Sequence, residues 1–293
     1  MPGFAYGPPV PIARSNAELA EALAHGRWVF VPTMGALHAG HANLVRQASD
    51  LARARGHAGA VVSVFVNPTQ FNEKADFDRY PRTLDVDAAI CQEAGATIIY
   101  APRVEDIYPP GASIPVPTLP GVATRPGLED AHRPGHFAGV CQVVARLFDL
   151  VKPAAAVFGE KDWQQLAVIR AMVQQERMGI EIIGAPTVRE ADGLAMSSRN
   201  RFLSPPDRDR AAALSQALCD ACEVGTPDGA ETVMRRTLEA HDITPEYAVV
   251  RDAATLERPA AGATTRDIRW RALIAARVGS VRLIDNCAWP DRD

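Results

Sequence analysis

The strongest constraint on the fold is a repeated alternation between short apolar runs and longer helical patterns over the first two-thirds of the chain. The runs WVFVPT (28–33) and AGAVVSVFV (58–66) have the length and β-branched content of buried strands, and segment 41–55 between them is patterned as a helix. Helical patterns follow at 83–94, 137–151 and 162–177, and they alternate with strand patterns at 97–102, 154–160 and 181–186. Repeated strand–helix–strand units predict an α/β fold with a Rossmann-like, doubly wound parallel sheet.

The pattern changes after residue 186. Two helical patterns, near 205–223 and 227–241, are followed by the strand patterns YAVVRD, RWRALIAARV and SVRLIDN, the last two joined at Gly279. Helices and strands in separate blocks predict a smaller α+β domain. We therefore expect a Rossmann-like domain over residues 1–187 and a smaller C-terminal domain over residues 188–293.

Composition excludes several classes of function. The 293 residues carry a net charge of -4 and are 47% hydrophobic, which argues against a broad nucleic-acid surface and against a disordered chain. No apolar run reaches the ~18 residues of a membrane span and no secretory signal pattern is found, so we expect no membrane association and a cytoplasmic location. The five cysteines include a CxxC pair, Cys219 and Cys222, which we interpret as buried helix thiols rather than a zinc or redox site.

The first strand-to-helix junction, VPTMGALHAGH, is the most informative segment. Ligands bind at the carboxyl ends of strands in open α/β sheets, where Gly35 and Gly40 would let the backbone approach a ligand closely. A helix that opens near His41 would direct N–H groups and a partial positive charge at that ligand, with His38 and His41 on one side of its first turn. This predicts a phosphate site. Two alternatives remain here: the histidines merely cap the helix, or they bind zinc, although HExxH is absent.

A phosphate-binding lysine is predicted from a second segment, FGEKDWQQL. Neither GxxxxGK[ST] nor GxGxxG follows any strand pattern, so the common nucleotide fingerprints are absent. Only three of the 31 basic side chains are lysines, and one of them, Lys161, follows a strand pattern between Glu160 and Asp162. A compact ammonium suits contact with a phosphate oxygen. Composition alone leaves open that Lys161 is a chance survivor of an arginine bias.

Two polar loops add further candidates. Segment 192–202, DGLAMSSRNRF, offers Ser197, Ser198 and Arg199 to a polyphosphate, although a solvated loop would have the same composition. Segment 65–82 places Asn67 and Gln70 close to the end of the second strand pattern, where neutral amides suit hydroxyl and carboxylate groups. A turn at Asn67-Pro68 is the structural alternative.

The chain resembles the pantothenate synthetase (pantoate–β-alanine ligase) family of the HxGH nucleotidyltransferase superfamily. The resemblance runs from about residue 28 to residue 286, in the segments PTMGALHAGH, SVFVNPTQF with DRYPRT, RPGHFAGV, FGEKDWQQL, PTVREADGLAMSSRN and RLIDN. Trp163 departs from the usual Tyr or Phe. The resemblance implies an ATP-dependent ligase that condenses (R)-pantoate with β-alanine to pantothenate, AMP and pyrophosphate through a pantoyl-adenylate, in coenzyme A biosynthesis. It also implies Mg2+ that arrives with ATP, no metal held by dedicated protein ligands, and a homodimer.

The resemblance further implies roles for single residues. His41 stands in the position of a proton donor, His38 lies with it at the phosphates, and Lys161 stabilises charge on the transferring phosphate. Ser197, Ser198 and Arg199 match the mobile catalytic loop of the superfamily. The implied ATP contacts are Met34, Gly35, His38, Gly40, His41, Gly159, Glu160, Lys161, Asp162, Val188, Met196, Ser197, Ser198 and Arg199. The implied substrate contacts are Gln70 and Gln165 for pantoate, Asn67 with Gln70 for β-alanine, and Arg133 and His136 near the pocket.

Two other functions compete with the ligase. A plain nucleotidyltransferase needs a cationic pocket for the phosphate of its acceptor, whereas the acceptor loop here offers Asn67 and Gln70. A nucleotide-binding regulatory module would need no catalytic groups, and the joint presence of His41, Lys161 and the Ser-Ser-Arg sequence disfavours it. We expect the ligase, with small-molecule substrates only, and closure of the smaller domain because its Ser-Ser-Arg loop must approach the phosphates.

Overall fold

The computed structural model describes residues 9–71, 74–258 and 269–290, and structural statements below concern these residues. The strands are β1 (Ile12–Ala13), β2 (Trp28–Thr33), β3 (Gly59–Val64), β4 (Ile98–Tyr100), β5 (Ala155–Gly159), β6 (Glu181–Ala185), β7 (Pro245–Asp252), β8 (Trp270–Val278) and β9 (Val281–Trp289). The helices are α1 (Asn16–Ala22), α2 (Ala39–Ala54), α3 (Lys74–Arg79), α4 (Leu84–Glu93), α5 (Val104–Ile107), α6 (Glu129–His132), α7 (His136–Val151), α8 (Trp163–Gln175), α9 (Pro205–Ala211), α10 (Ala213–Cys222) and α11 (Pro227–Glu239). No helix in these ranges is both long enough and apolar enough to cross a bilayer.

The first six strands form one sheet in the order β1-β4-β3-β2-β5-β6. The pairs β1/β4, β4/β3, β3/β2 and β2/β5 are all parallel. The chain builds outward from β2 to β4 and then returns to the other side of β2, so the order reverses between β2 and β5. Crevices at the carboxyl ends of strands at such a reversal are the usual ligand sites. The predicted Rossmann-like sheet is confirmed; the short strand β1 and helix α1 had no clear sequence signal.

Alternation along β2 fixes which helix covers each face of this sheet. Val29 and Val31 are fully buried in one cluster with Val45 of α2. Phe30, between them, points to the opposite face, where its ring meets Phe148 of α7 edge-on at 6.3 Å between centroids. Both faces of β2 are therefore apolar, as a central parallel strand requires.

Contacts divide the chain into two compact units. The first comprises residues up to 119 with 134–158 and 172–185, and the second comprises 120–133, 159–171 and the chain from 186 onward. The predicted boundary at 187/188 lies near the last of these transitions. Two earlier segments, 120–133 and 159–171, group with the C-terminal unit. A single domain boundary in the sequence therefore does not describe the two units.

The second unit is built on an antiparallel sheet in the order β7-β8-β9. Alternate residues of β8, among them Trp270, Ile274 and Val278, are buried in one cluster with α10 and α11. Arg271 points to the other face and is also buried. The predicted smaller α+β domain is confirmed, with the helices on one face of the sheet.

The CxxC pair differs from our interpretation. Cys219 is exposed on α10, so the expectation of two buried thiols is wrong for this residue. Cys222, three residues later at the end of α10, is half-buried, and its Sγ lies 3.8 Å from Sγ of Cys287 on β9. Residues three apart on a helix differ by about 60° around its axis, and here Cys222 contacts the sheet whereas Cys219 lies toward solvent.

Candidate active site

The loop that follows β2 is held by a buried carboxylate. Gly35 and Ala36 have positive φ angles, +80° and +51°, and a Cβ on Gly35 would stand 3.0 Å from Oδ2 of Asp87. The N–H groups of Ala36 and Leu37 donate to this carboxylate at 3.1 and 2.8 Å, and the Thr83 hydroxyl donates to it at 3.2 Å. Asp87 therefore fixes the backbone just before the two histidines.

His38 and His41 form a reciprocal cap at the start of α2. Nδ1 of His38 accepts from the Gly40 N–H at 3.1 Å, and Nδ1 of His41 accepts from the His38 N–H at 3.4 Å. The capping alternative is thus observed. A neutral ring that accepts at Nδ1 carries its hydrogen on Nε2, a tautomer assigned here from the hydrogen bonds. Capping and donation to a ligand therefore involve different nitrogens of these rings.

Asn67 is part of the framework of the acceptor loop. The residue is 1% exposed, its Nδ2 donates to the Gly139 carbonyl at 3.2 Å, and its Oδ1 accepts from the Tyr108 hydroxyl at 2.8 Å. Oδ1 also accepts from the N–H and the hydroxyl of Thr69. The turn role is therefore present, and the predicted contact with β-alanine stays a prediction.

Gln70 differs from Asn67 in that its side chain makes no hydrogen bond to the described protein, although it is only 9% exposed. Its backbone carbonyl accepts from Nδ1 of His136, the first residue of α7, at 3.3 Å. A buried amide without a protein partner is suited to a polar ligand.

The segment Gly159–Asp162 continues β5 into a 3-10 turn before α8. Glu160 pairs with Arg271 at 3.1 Å, while the carbonyls of Glu160 and Lys161 accept from Nδ2 of Asn286 at 3.0 and 2.8 Å. The half-buried Lys161 side chain has no hydrogen bond or ion pair with any described residue. Its ammonium is thus uncommitted, whereas the neighbouring carboxylate is neutralised.

Two arginines of the second unit form a region of positive charge. Burial, together with the positive charge of Arg199, lowers the pKa of Arg133 to about 10, against the opposing effects of Glu129 and Asp162. Arg199 is itself exposed. Positive charges that act on one another in this way favour the binding of an anion nearby.

The loop that carries the Ser-Ser-Arg sequence is braced at its base. The Met196 N–H donates to the Val188 carbonyl at 2.9 Å, and Ser197 caps the following 3-10 turn by accepting from the Arg199 N–H at 3.2 Å. Arg189 makes a two-pronged ion pair with the buried Asp285, at 2.6 and 3.0 Å. The segment that leads into the loop is therefore anchored to β9 at Arg189.

Adjacent glutamines on α8 have separate roles. Gln164 is buried, accepts from the Glu129 N–H at 2.8 Å and donates to the Val122 carbonyl at 3.0 Å. The side chain of Gln165 is half-buried and makes no hydrogen bond to the described residues. Of the two, only the predicted substrate contact, Gln165, has an amide to offer a ligand.

The predicted site residues fall into two groups. The first unit brings together Met34, Gly35, His38, Gly40, His41, Asn67, Gln70 and His136; the second holds Arg133, Gly159, Glu160, Lys161, Asp162, Gln165, Val188, Met196, Ser197, Ser198 and Arg199. Sequence reasoning missed Asp87, Arg271 and Asn286, which orient these residues. An acidic residue at an otherwise apolar helix position was the only sequence signal for Asp87, and the RLIDN match carried no role for Asn286.

Comparison with known proteins identifies the chain's relatives. The family model for pantoate-beta-alanine ligase matches residues 11–288. The pantothenate synthetase of Nocardioides sp. is 50% identical over 279 residues, 92% of this chain and 80% of that protein. The crystal structure of pantothenate synthetase from Thermus thermophilus is 42% identical, covers 95% of this chain and 99% of its own, and gives a TM-score of 0.85. The ligase from Francisella tularensis, crystallised with beta-gamma ATP and beta-alanine, is 30% identical, with 95% and 97% coverage and a TM-score of 0.75.

Proposed function

This chain belongs to the pantoate–β-alanine ligase family, and we propose that the residues described above carry out the family's reaction. The enzyme condenses (R)-pantoate with β-alanine and forms pantothenate, AMP and pyrophosphate. The observation that carries the proposal is the family match over 11–288 together with a capped His-x-Gly-His turn and an uncommitted lysine in the two matching segments.

The reaction has two steps. A pantoate carboxylate oxygen attacks the α-phosphorus of ATP, and pyrophosphate leaves, which gives pantoyl-adenylate. The amine of β-alanine then attacks the acyl carbon, loses a proton, and AMP leaves with the oxygen that came from pantoate. Negative charge gathers on the phosphates in the first step, so fixed cations and N–H donors should lower its barrier.

His38, His41 and the start of α2 bind the phosphates in this proposal. The Nε2–H tautomer of both rings supports the role, because it makes each Nε2 a donor to phosphate oxygen. The N-terminus of a sixteen-residue helix adds a partial positive charge. His41 acts as the proton donor to the departing phosphate.

Lys161 stabilises charge on the transferring α-phosphate, and Arg133 and Arg199 hold the outer phosphates or the substrate carboxylate. The uncommitted ammonium of Lys161 supports the first role. The lowered pKa of Arg133, caused by burial and by Arg199, supports the second, since a bound anion would relieve both effects. Ser197 and Ser198 add hydroxyl donors.

Pantoate is held by Gln70 and Gln165, whose amides have no protein partner in the described structure. β-Alanine enters beside Gln70, with Asn67 shaping the turn and His136 near the pocket. Neutral amides bind hydroxyl and carboxylate groups without a fixed charge that would compete for the triphosphate.

Magnesium enters with ATP. The described residues contain no group of three or more His, Cys, Asp or Glu side chains placed to hold a metal ion. In this proposal Mg2+ takes most of its ligands from phosphates and water. Bound there, Mg2+ supplies further charge stabilisation to the phosphates.

We further propose a cytoplasmic homodimer. The five free thiols in the described residues support a reducing compartment. Analytical ultracentrifugation should give about twice the 31.5 kDa chain mass; a concentration-independent monomer would refute the dimer.

The defining experiment uses purified protein, Mg-ATP, β-alanine and pantoate labelled with 18O in its carboxylate. AMP carrying one 18O atom should form, because one carboxylate oxygen is transferred to the α-phosphate. AMP should require both substrates, while pantoate alone should release at most one equivalent of pyrophosphate per site. Formation of ADP, or pyrophosphate release that needs a phosphorylated acceptor, would refute the ligase in favour of another phosphoryl or nucleotidyl transfer.

A further inference from the structure

Asn286, near the end of β9, is a buried amide that binds the backbone of the GEKD turn. The residue is 3% exposed, and its Nδ2 donates to the carbonyl oxygens of Glu160 and Lys161, at 3.0 and 2.8 Å. Both hydrogens of one amide nitrogen are thus used on two consecutive peptide groups. The family resemblance in the RLIDN segment implies no role for this residue.

The orientation of the Asn286 amide is itself fixed. Nε of Arg271 donates to Oδ1 at 2.7 Å, and since a guanidinium only donates, the oxygen must face it and the nitrogen must face the two carbonyls. The Arg271 guanidinium pairs with Glu160 and lies 3.6 Å from the centroid of the Trp163 ring. The indole N–H of Trp163 in turn donates to the Ala253 carbonyl at 2.8 Å.

The two hydrogen bonds from Asn286 hold a turn that has little support of its own. The residue before the turn is Gly159, which offers no side-chain cap. The Lys161 side chain makes no hydrogen bond or ion pair with the described protein, so its direction depends on its own backbone. A lysine has four rotatable side-chain bonds, and a small rotation at its Cα moves the ammonium by a much larger distance.

We propose that Asn286 is the positioning residue for Lys161: its amide fixes the two peptide groups from which the ammonium is directed at the transferring phosphate. The inference rests on the proposed function of Lys161. Asn286 touches neither ATP nor substrate, and it acts only through the backbone of 160–161.

The test uses two variants of Asn286 and one matched control. Asn286→Asp keeps the acceptor for Arg271 but loses both donors, and Asn286→Ser keeps one short donor that reaches neither carbonyl. Each should lower kcat on the order of 10- to 100-fold, the size expected for a small displacement of a catalytic group, with KM for pantoate changed by less than about twofold. Trp289→Phe is the control, because it removes another buried side-chain bond from β9 to a carbonyl, that of Ala221 at 2.7 Å. It should lower Tm and leave kcat near wild type.

The Lys161→Ala background separates the possible failures. In that background, Asn286→Asp should lower kcat by less than a further factor of about two, because the effects of two residues that act through one group are not additive. Full activity of Lys161→Ala would refute the role of Lys161 itself. An impaired Lys161→Ala enzyme with normal kcat in both Asn286 variants would refute only the positioning role. Losses that multiply in the double variant, or a kcat loss equal to that of Trp289→Phe at matched Tm, would show a general structural effect instead.

Discussion

Glu160 and Lys161 are neighbours in the GEKD turn but differ in how the fold uses them. The carboxylate is ion-paired with Arg271, whereas the ammonium has no partner in the described structure. The same division separates Gln164, which is fully engaged, from Gln165, and Asn67 from Gln70. At the residue scale, polar groups that the fold does not use are the ones available for ligands.

Lys161→Ala should lower kcat on the order of 100- to 1,000-fold, because it removes charge stabilisation that is expressed mainly in the transition state. Lys161→Arg should also be impaired by at least about tenfold, since a planar guanidinium cannot occupy the place of a compact ammonium. Steady-state kinetics with circular dichroism as a fold check measures both. Lys152, exposed at the end of α7, gives matched Lys152→Ala and Lys152→Arg controls that should keep full activity. Full activity of Lys161→Arg would show that the reaction does not require a lysine at this position.

Asp87→Asn should raise KM for ATP and lower stability. The carboxylate accepts two N–H groups of the loop before His38, and an amide would turn a donor toward one of them, at a cost of about 1–3 kcal/mol. Asp85→Asn, at a less buried position of the same helix, is the control and should change neither quantity. Equal KM values for the Asp87 and Asp85 variants would contradict the role of Asp87 in holding the loop.

At the scale of elements, helix α7 lies unusually close to the turn that carries Asn67 and Gln70. A Cβ placed on Gly139 would stand 2.4 Å from the Thr69 carbonyl oxygen, and the Gly139 carbonyl accepts from Asn67. The first residue of the helix, His136, donates to the Gln70 carbonyl. The absence of a side chain at Gly139 is therefore what lets the helix hold the acceptor loop at two points.

Gly139→Ala should destabilise the protein by about 1–3 kcal/mol, because the methyl group meets backbone that cannot move away cheaply. In an unconstrained helix the same change stabilises by roughly 1 kcal/mol, so the sign of the effect is diagnostic. Asp149→Ala, at an exposed position of the same helix, measures the propensity gain of an alanine there. Chemical denaturation gives both free energies of unfolding, and KM for β-alanine should rise only in the glycine variant. A stabilising Gly139→Ala would contradict the close approach.

At the scale of the whole molecule, distant parts of the sequence are joined by polar networks on β9. Arg282 makes a two-pronged ion pair with the buried Glu129 at 2.7 and 2.8 Å, Asp285 binds Arg189, and Asn286 binds the GEKD turn. Three polar residues of the RLIDN segment thus hold three different segments of the second unit. This explains why 120–133 and 159–171 group with the C-terminal part of the chain.

Acid should weaken this arrangement. Burial alone would raise the pKa of Glu129, but the hydrogen bonds and charge of Arg282 outweigh it and lower the pKa below the usual value. A depressed folded-state pKa stabilises the fold above the unfolded value of about 4.3, and the stabilisation is lost as pH falls through the folded value. Glu129→Gln should therefore lower Tm at pH 7, and the difference from wild type should shrink as the pH is lowered from about 5 to about 3. Calorimetry across this range measures it; a difference independent of pH would contradict the ion pair.

Local patterns in the sequence determined the architecture and the chemistry. A short continuous apolar run predicted β2, from Trp28 to Thr33, because a central parallel strand is buried on both faces. The strand patterns on either side of Gly279 predicted the hairpin of β8 and β9. The HxGH and GEKD segments predicted where the candidate ligand-binding groups lie, because strand ends and helix starts can be predicted from local sequence.

The tertiary structure alone decided which polar groups are free for that chemistry. Asn67 and Gln70 look alike in the sequence, yet Tyr108 and Gly139 use the amide of the first and leave the second. Asp87 reaches a loop 50 residues away, and Asn286 reaches Lys161 across 125 residues. Such contacts depend on how strands and helices pack, and no residue periodicity records them.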